Sequence, residues 1–247
     1  MRAVSALFSA VHRFDMRRSS VSELLDMPSG GDVSPAELAN NLADIARLNA
    51  LTGNTRVLCQ AACMLLPTAA ASHTVLDVGT GAADWPPAFA AYLHSRQSVP
   101  VQMIAADVNS AVLHYARQRL PAGQLIGADG TQLPLARGSV DIAVCAQTFH
   151  HLSPDQAADL LRELARVSRC GFIIYDLARS RPALIAVQTL THLVSRNRLT
   201  RHDGPLSVRR AYRPDEVYAI AASAGLIRPA FTIWPVRPFR WLAIYRR

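Results

Sequence analysis

The residues best placed to do chemistry lie in one run, Val75-Leu76-Asp77-Val78-Gly79-Thr80-Gly81-Ala82-Ala83-Asp84. A Gly-x-Gly between a strand and a helix lets a ligand approach bare backbone, and the helix N-terminus attracts negative charge. Many nucleotide folds share that pattern. Its acidic companions narrow it. A dinucleotide fingerprint wants Gly or Ala where this chain has Asp84, because a carboxylate there repels a pyrophosphate. A carboxylate suits instead a ligand that carries an ammonium group beside its own carboxylate. Asp77, at the end of the first predicted strand, makes the same argument. Asp107 closes Ile104-Ala105-Ala106-Asp107-Val108-Asn109, where a strand-tip acid can accept two hydrogen bonds from a ribose diol. Asp129-Gly130 follows the third strand and can take an exocyclic adenine amine.

Four carboxylates thus fall at the carboxyl ends of three successive predicted strands, where open α/β sheets bind ligands. Each alone is explained as well by a loop or cap aspartate. In order, and with the glycine turn, they describe a site for the amino-acid end, ribose and adenine of S-adenosylmethionine (SAM).

The fourth strand runs out into Cys145-Ala146-Gln147-Thr148-Phe149-His150-His151-Leu152. His150 and His151 are general-base candidates, since a neutral imidazole can take a phenol proton near neutral pH. Adjacent residues point different ways, so one of them at most is expected to act. A packed or capping histidine ahead of Ser153 is the competing reading. A polar stretch, Arg196–Arg210, reads as a loop with a turn at Gly204-Pro205. It is expected over the acceptor pocket, with His202 as a further base and an arginine for an acidic or phenolic group; the alternative is a solvated loop. Cys145 reads as sheet core.

The elements that must position these residues alternate. Apolar strands are expected at His73–Val78, Val101–Ala106, Leu125–Gly127, Val140–Ala146 and Phe172–Tyr175, with helices at Trp85–His94, Ser110–Leu120 and Pro154–Val167. Apolar strands separated by helices imply a parallel sheet covered on both faces. A helix over Pro182–Ser195 follows, then another from Pro214 to Gly225. Leu226–Trp234 and Phe239–Tyr245 read as closing strands that pair antiparallel. Ser153-Pro154-Asp155-Gln156 and Ser34-Pro35-Ala36-Glu37 are capping boxes. Residues 1–72 read as a helical extension or lid, and 73–247 as the ligand-binding domain. Leu38, Leu42, Ile45 and Leu48 form an apolar stripe, and a second helix runs from about Arg56 to Leu66. Phe8, Phe14, Met16, Leu24, Leu25 and Met27 can line an apolar pocket or pack on the sheet's helices. Met1–Val11 reads as a frayed or docked helix. A weak signal peptide, or with Arg13, Arg17 and Arg18 a segment lying on a membrane surface, are the alternatives.

The chain resembles a class I SAM-dependent methyltransferase from about residue 73 to 175. Val75–Gly81 is similar to the family's first motif, Asp107 to its second-strand acid and Asp129-Gly130 to its third. Leu133-Pro134-Leu135 and Ser139-Val140-Asp141-Ile142-Ala143 resemble the approach to strand four in the small-molecule subgroup that includes quinone-biosynthesis enzymes. Segments 13–56 and 196–213 resemble bacterial enzymes of polyketide or phenolic-lipid pathways. Ala83 departs from the pattern, standing where many members carry a third glycine. The resemblance implies a doubly wound, Rossmann-like, mostly parallel seven-stranded α/β sheet with an antiparallel last strand. It implies SAM as cofactor, held by Asp77, Gly79, Thr80, Gly81, Asp84, Asp107, Val108, Asp129, Gly130 and Gln147. It also implies methyl transfer to a small acceptor, at oxygen of a phenolic, polyketide or lipidic compound in secondary metabolism. RNA methylation and C-methylation of a quinone precursor are the alternatives.

Composition excludes other chemistries. All 26 basic residues of the 247 are arginine. Without lysine there is no Walker A loop, no Schiff base, no kinase ion pair and no Tyr-x-x-x-Lys reductase pair. The arginines are dispersed, so the net charge of +8 carries no nucleic-acid partner. Cys59, Cys63, Cys145 and Cys170 contain no C-x-x-C pair, so no metal site is assigned and a reducing, cytoplasmic setting is expected. No stretch reaches the ~20 apolar residues of a membrane span.

Overall fold

A computed structural model describes residues 16–26, 33–68, 70–97 and 99–247. The expectations for Met1–Val11, Phe8, Arg13, Phe14 and Met27 lie outside the described residues.

Seven strands build the sheet: β1 (His73–Val78), β2 (Val101–Asp107), β3 (Gln124–Gly127), β4 (Val140–Ala146), β5 (Ser168–Leu177), β6 (Phe231–Val236) and β7 (Arg240–Arg246). Their spatial order is β3-β2-β1-β4-β5-β7-β6. β1 to β5 are parallel neighbours, and β7 inserts antiparallel between β5 and β6. This is the Rossmann-like, doubly wound arrangement that the resemblance implies, built on the parallel sheet the alternating pattern implies. The order reverses between β1 and β4, and a crevice opens beyond their carboxyl ends.

Eight α-helices occur among the described residues: α1 (Pro35–Leu51), α2 (Asn54–Leu65), α3 (Trp85–Gln97), α4 (Ser110–Arg119), α5 (Pro154–Val167), α6 (Arg181–Val194), α7 (Arg198–Arg210) and α8 (Pro214–Ser223). The two-residue period of the strands assigns side chains to faces. Leu76, Val78, Ala143, Phe172 and Ile174 face α5 and α8, while Val75, Ile142, Val144 and Ile173 face α2 and α3. On α5 the small Ala157 and Ala158 begin the buried stripe, and Leu160, Leu161 and Leu164 fill the interface, each buried leucine contributing about 1.5–3 kcal/mol. α2 packs in the same core as the sheet, through Leu58, Ala62 and Leu65 against Val75 and Phe89.

Helix starts follow their caps. Ser153 and Gln156 exchange both bonds of a capping box at α5. At α1 half of the box forms: Ser34 accepts from the Glu37 N–H, while the Glu37 carboxylate turns to Arg198 at 2.7 Å.

The stretch expected as a loop, Arg196–Arg210, is instead mostly helix. Asn197 caps α7 by accepting from the Leu199 N–H, and Leu199, Leu206 and Val208 bury one side of it. Pro205 removes one helical hydrogen bond but leaves the helix running. Gly204 serves contact and not a turn: a Cβ there would stand 2.8 Å from Thr191 Cγ2 on α6. Close approach of α6 and α7 overrides the local Gly-Pro signal. The first closing strand starts later than expected, at Phe231 instead of Leu226, the second is displaced by a single residue, and β5 extends to Leu177, which brings Asp176 to its tip. No helix among the described residues is long and apolar enough to cross a membrane.

Candidate functional site

One cavity of 820 Å³ lies over the carboxyl ends of β1, β2 and β4 and is roofed by α1, α6 and α7. Small-molecule sites span about 300–1,000 Å³, and this one lies toward the upper end of that range.

The strand-tip end is made by backbone. Gly79 (φ +69°) and Gly81 (φ +50°) occupy the left-handed region that side chains avoid. A Cβ on Gly79 would overlap the Thr148 side chain, whereas one on Gly81 would enter open space. Gly79 therefore lets two loops meet, and Gly81 leaves its main chain open to a ligand. Ala83 turns into the same region (φ +47°) despite its methyl, so the departure from a third glycine does not open the turn. Gly130 is required by packing, because a Cβ would come 2.8 Å from Val78 Cγ1.

Asp77, Asp84, Asp107 and Asp129 all line this end, with Thr80, Val108 and Gln147. The Asp107 carboxylate accepts from the backbone N–H groups of Asn109 (3.0 Å) and Gly81 (3.2 Å). Asp129 accepts from Thr131, and Asp84 from the Asn49 amide at 3.0 Å. Asp77 accepts from the Thr80 hydroxyl at 2.6 Å with one oxygen; its other oxygen is buried with no hydrogen-bond partner. Burial pushes the Asp77 carboxyl up to about 7, and the neighbouring Asp84 and Asp107 add to it. Burial likewise raises Asp84 and Asp107. Three carboxyls held above their ordinary range form a pocket short of positive charge. The orphaned Asp77 oxygen and the open space at Gly81 fit a ligand that brings a sulfonium, an ammonium and hydroxyls, as SAM does. Val108, 80% exposed at the rim, offers an apolar surface to a flat ring.

The opposite end holds histidines. A 3₁₀ turn, Phe149–His151, follows β4. The sequence expectation that His150 and His151 diverge is not met: their ring centroids lie 4.3 Å apart and both rings face Glu23. Carboxylates turn them. His150 Nδ1 meets Asp176 at 2.7 Å and His151 Nδ1 meets Asp26 at 2.6 Å, which directs both Nε2 atoms to the same side. His150 is 3% exposed. Burial pulls its pKa down, but Asp176 and Glu23 outweigh burial and raise it to about 10. The two carboxylates thus favour the protonated imidazole, which works against His150 as the neutral base expected from sequence. Burial pushes Glu23 up, and hydrogen bonding and charge from His150, His151 and Ser207 hold it below the usual range.

The turn is fixed from behind. Arg18 donates to the carbonyls of His150 and Leu152 while stacking 4.0 Å over Tyr212, and Arg210 donates to the His151 carbonyl at 2.6 Å. His202 is not brought to the cavity. Its side chain is half exposed on α7, with Nδ1 on Asp203 at 2.7 Å, because helical spacing turns Asp203 and Ser207 inward in its place.

Several residues escaped sequence reasoning. Asn49 braces the strand-tip end from α1: it donates to Asp84 and accepts from Gln147 (2.6 Å) and Asn54 (2.8 Å). Asn41 donates to Thr200, and Asp44 accepts from Ser195 and Thr200. Their signal was three polar residues among the apolar positions of α1. Glu23 and Asp176 gave less signal, one ahead of a short turn and one ending an apolar strand. Among the proposed pocket liners, Leu25 reaches the cavity, Leu24 is half-buried, and Met16 packs instead against Leu177 and Val208.

Residues 75–171 match the methyltransferase domain family. An uncharacterized methyltransferase of Mycobacterium sp. (strain JLS) is 32% identical over 104 residues, covering 42% of this chain and 38% of the relative. An uncharacterized methyltransferase-like protein of Schizosaccharomyces pombe is 30% identical over 93 residues, covering 38% and 33%. The match thus spans about a third of the length of these relatives. The structure of an O-methyltransferase family protein from Burkholderia thailandensis superposes with a TM-score of 0.56 at 14% identity, over 82% of this chain and 57% of that one; this likeness is one of fold.

Proposed function

We propose that this chain, which carries a SAM-dependent methyltransferase domain at residues 75–171 on the Rossmann-like methyltransferase fold, methylates an oxygen of a small phenolic, polyketide or lipidic acceptor of secondary metabolism. One observation carries the reading: a single cavity joins an acidic strand-tip end to a histidine–carboxylate end. In this reading residues 73–247 form the SAM-binding unit, and the extension of residues 1–72 adds Glu23, Asp26 and α1 to the cavity wall.

Asp84 takes the ammonium group, Asp107 the ribose diol and Asp129 the adenine amine, with Val108 against the ring. Gly81, with open space where a Cβ would stand, lets the ligand's carboxylate approach the turn. SAM supplies the methyl on a sulfonium, an electrophile strong enough that in-line positioning provides most of the acceleration. The acceptor lies at the other end, against Leu25, Leu152, Val187 and Leu190. Without a metal, His151 is the residue positioned to take the acceptor proton, oriented by Asp26. His150, whose protonated form Asp176 favours, stabilises the developing oxyanion.

The test incubates the protein with methyl-labelled SAM and a panel of phenolic acceptors, then identifies the products by mass. Label on an acceptor oxygen supports the reading. Label only in RNA, or none with any phenol while SAM binds, overturns the acceptor assignment.

A further inference from the structure

Glu23, His150 and His151 stand together at the histidine end of the cavity, and each offers one ligand atom within 4.8 Å of the others. Glu23 Oε1 lies 3.5 Å from His150 Nε2, and Glu23 Oε2 lies 3.9 Å from His151 Nε2. Three donors at metal–ligand bonds of about 2.0–2.2 Å would stand roughly 3.0–3.5 Å apart. The set needs to contract by well under a residue's reach to enclose an ion.

The geometry points to a site for a first-row transition-metal dication such as zinc, bound by His150 Nε2, His151 Nε2 and the Glu23 carboxylate, with its open coordination position facing the acceptor end of the cavity.

Two observations beyond proximity support it. His150 Nε2 is buried and aimed at the cluster, where it meets only the Glu23 carboxylate, at 3.5 Å. A bond to a metal ion would satisfy that atom. Both histidines also place Nδ1 against a carboxylate, Asp176 for His150 and Asp26 for His151. That arrangement orients each ring with Nε2 toward the cluster, as it does behind metal-bound imidazoles.

Charge agrees. Glu23, Asp26 and Asp176 gather around two imidazoles, while the donors of Arg18 and Arg210 are spent largely on main-chain carbonyls. Two imidazoles and one carboxylate favour zinc or iron(II) over magnesium or calcium, which prefer all-oxygen shells.

Resting on the methyltransferase reading, the ion would bind the acceptor oxygen. It would lower the hydroxyl's pKa so that the proton leaves to solvent, and the O–CH₃ bond would form as the S–CH₃ bond breaks. Both histidines are then ligands, and neither acts as base.

The experiment uses the full chain, stripped with a chelator. It is titrated with Zn²⁺ by calorimetry and with Co²⁺ by visible absorption, and SAM binding is measured in parallel. One equivalent of Zn²⁺ is expected, and cobalt bands without thiolate charge transfer, which excludes Cys63 and Cys170 as ligands. His151→Ala and Glu23→Gln should each weaken zinc at least a hundredfold, and Asp26→Asn, acting through His151, 10- to 100-fold. Circular dichroism and thermal unfolding confirm that each variant is folded. Zinc affinity unchanged in folded His151→Ala, or no stoichiometric binding by the wild type, overturns the site. If SAM fails to bind while zinc binds at this cluster, the methyltransferase reading fails and the metal site stands.

Discussion

The cavity's two sides are built by different means. The strand-tip side is local: the Gly79–Gly81 turn and the carboxylates at the ends of β1 and β2 are joined by short-range bonds such as Thr80 to Asp77 and Asn109 to Asp107. The roof is assembled from side chains far apart in sequence. Gln147 meets Asn49, Asn41 meets Thr200, and Ser207 meets Glu23, across 98, 159 and 184 residues. A local turn tolerates almost nothing, since one atom in the wrong place moves the whole backbone. A roof of many pairs spreads its stability over contacts that are each worth little. The strand-tip side should therefore fail by single steps and the roof by increments.

The largest effect tests the first half of that contrast. Gly79→Ala places a Cβ into the Thr148 side chain at a left-handed φ, costing about 1–2 kcal/mol for the backbone and about 1–3 kcal/mol for the overlap. Thermal unfolding should show a loss near the sum of the two. A melting temperature within a degree of wild type would mean that the two loops are not locked together.

Asp107→Ala comes next. Its carboxylate is already positioned by two backbone N–H groups, and removing it should weaken SAM by about 1–3 kcal/mol in calorimetry. Equal affinity in the variant would remove this residue from the ribose.

Asp77 gives a pH signature that no roof residue shares. Its folded pKa, about 7, lies above its ordinary value, so folding favours the protonated acid. Its stabilising contribution is complete at pH below about 4 and is lost as pH rises through 7. Asp77→Asn should match the wild type in stability at pH 4 and exceed it at pH 8, by thermal unfolding without ligand. Binding runs the other way, because a cationic donor favours the carboxylate. SAM affinity should fall about tenfold from pH 8 to pH 6 in the wild type, as one proton is taken up, and stay flat in Asp77→Asn. A slope retained in the variant would assign the titration elsewhere.

The same contrast explains what could be read from sequence. β1, β4 and α5 have the boundaries expected, because alternation, the strand-to-turn glycines and the Ser153 box are local signals. The four strand-tip aspartates share the cavity for the same reason. The roof was opaque. Gly204-Pro205 reads as a turn unless Thr191 is known to lie against it, and the shared direction of His150 and His151 depends on Asp176 and Asp26, remote in sequence. Glu23 becomes a partner of the histidines only through tertiary folding.

The smallest effect tests the second half of the contrast. Arg198 and Glu37 tie the start of α7 to the start of α1 through a 2.7 Å pair, but the arginine side chain is 55% exposed. Solvent and salt screen such a pair, and its net contribution is at most about 0.5–1 kcal/mol. Glu37→Gln keeps the helix start, since the Ser34 hydroxyl still accepts the residue-37 N–H, and removes only the charge. The expected loss is under 1 kcal/mol, shrinking further in high salt, with SAM affinity unchanged. A salt-independent loss of several kcal/mol would mean that this end of the roof is one cooperative lock, and the distinction between a stepwise floor and an incremental roof would no longer hold.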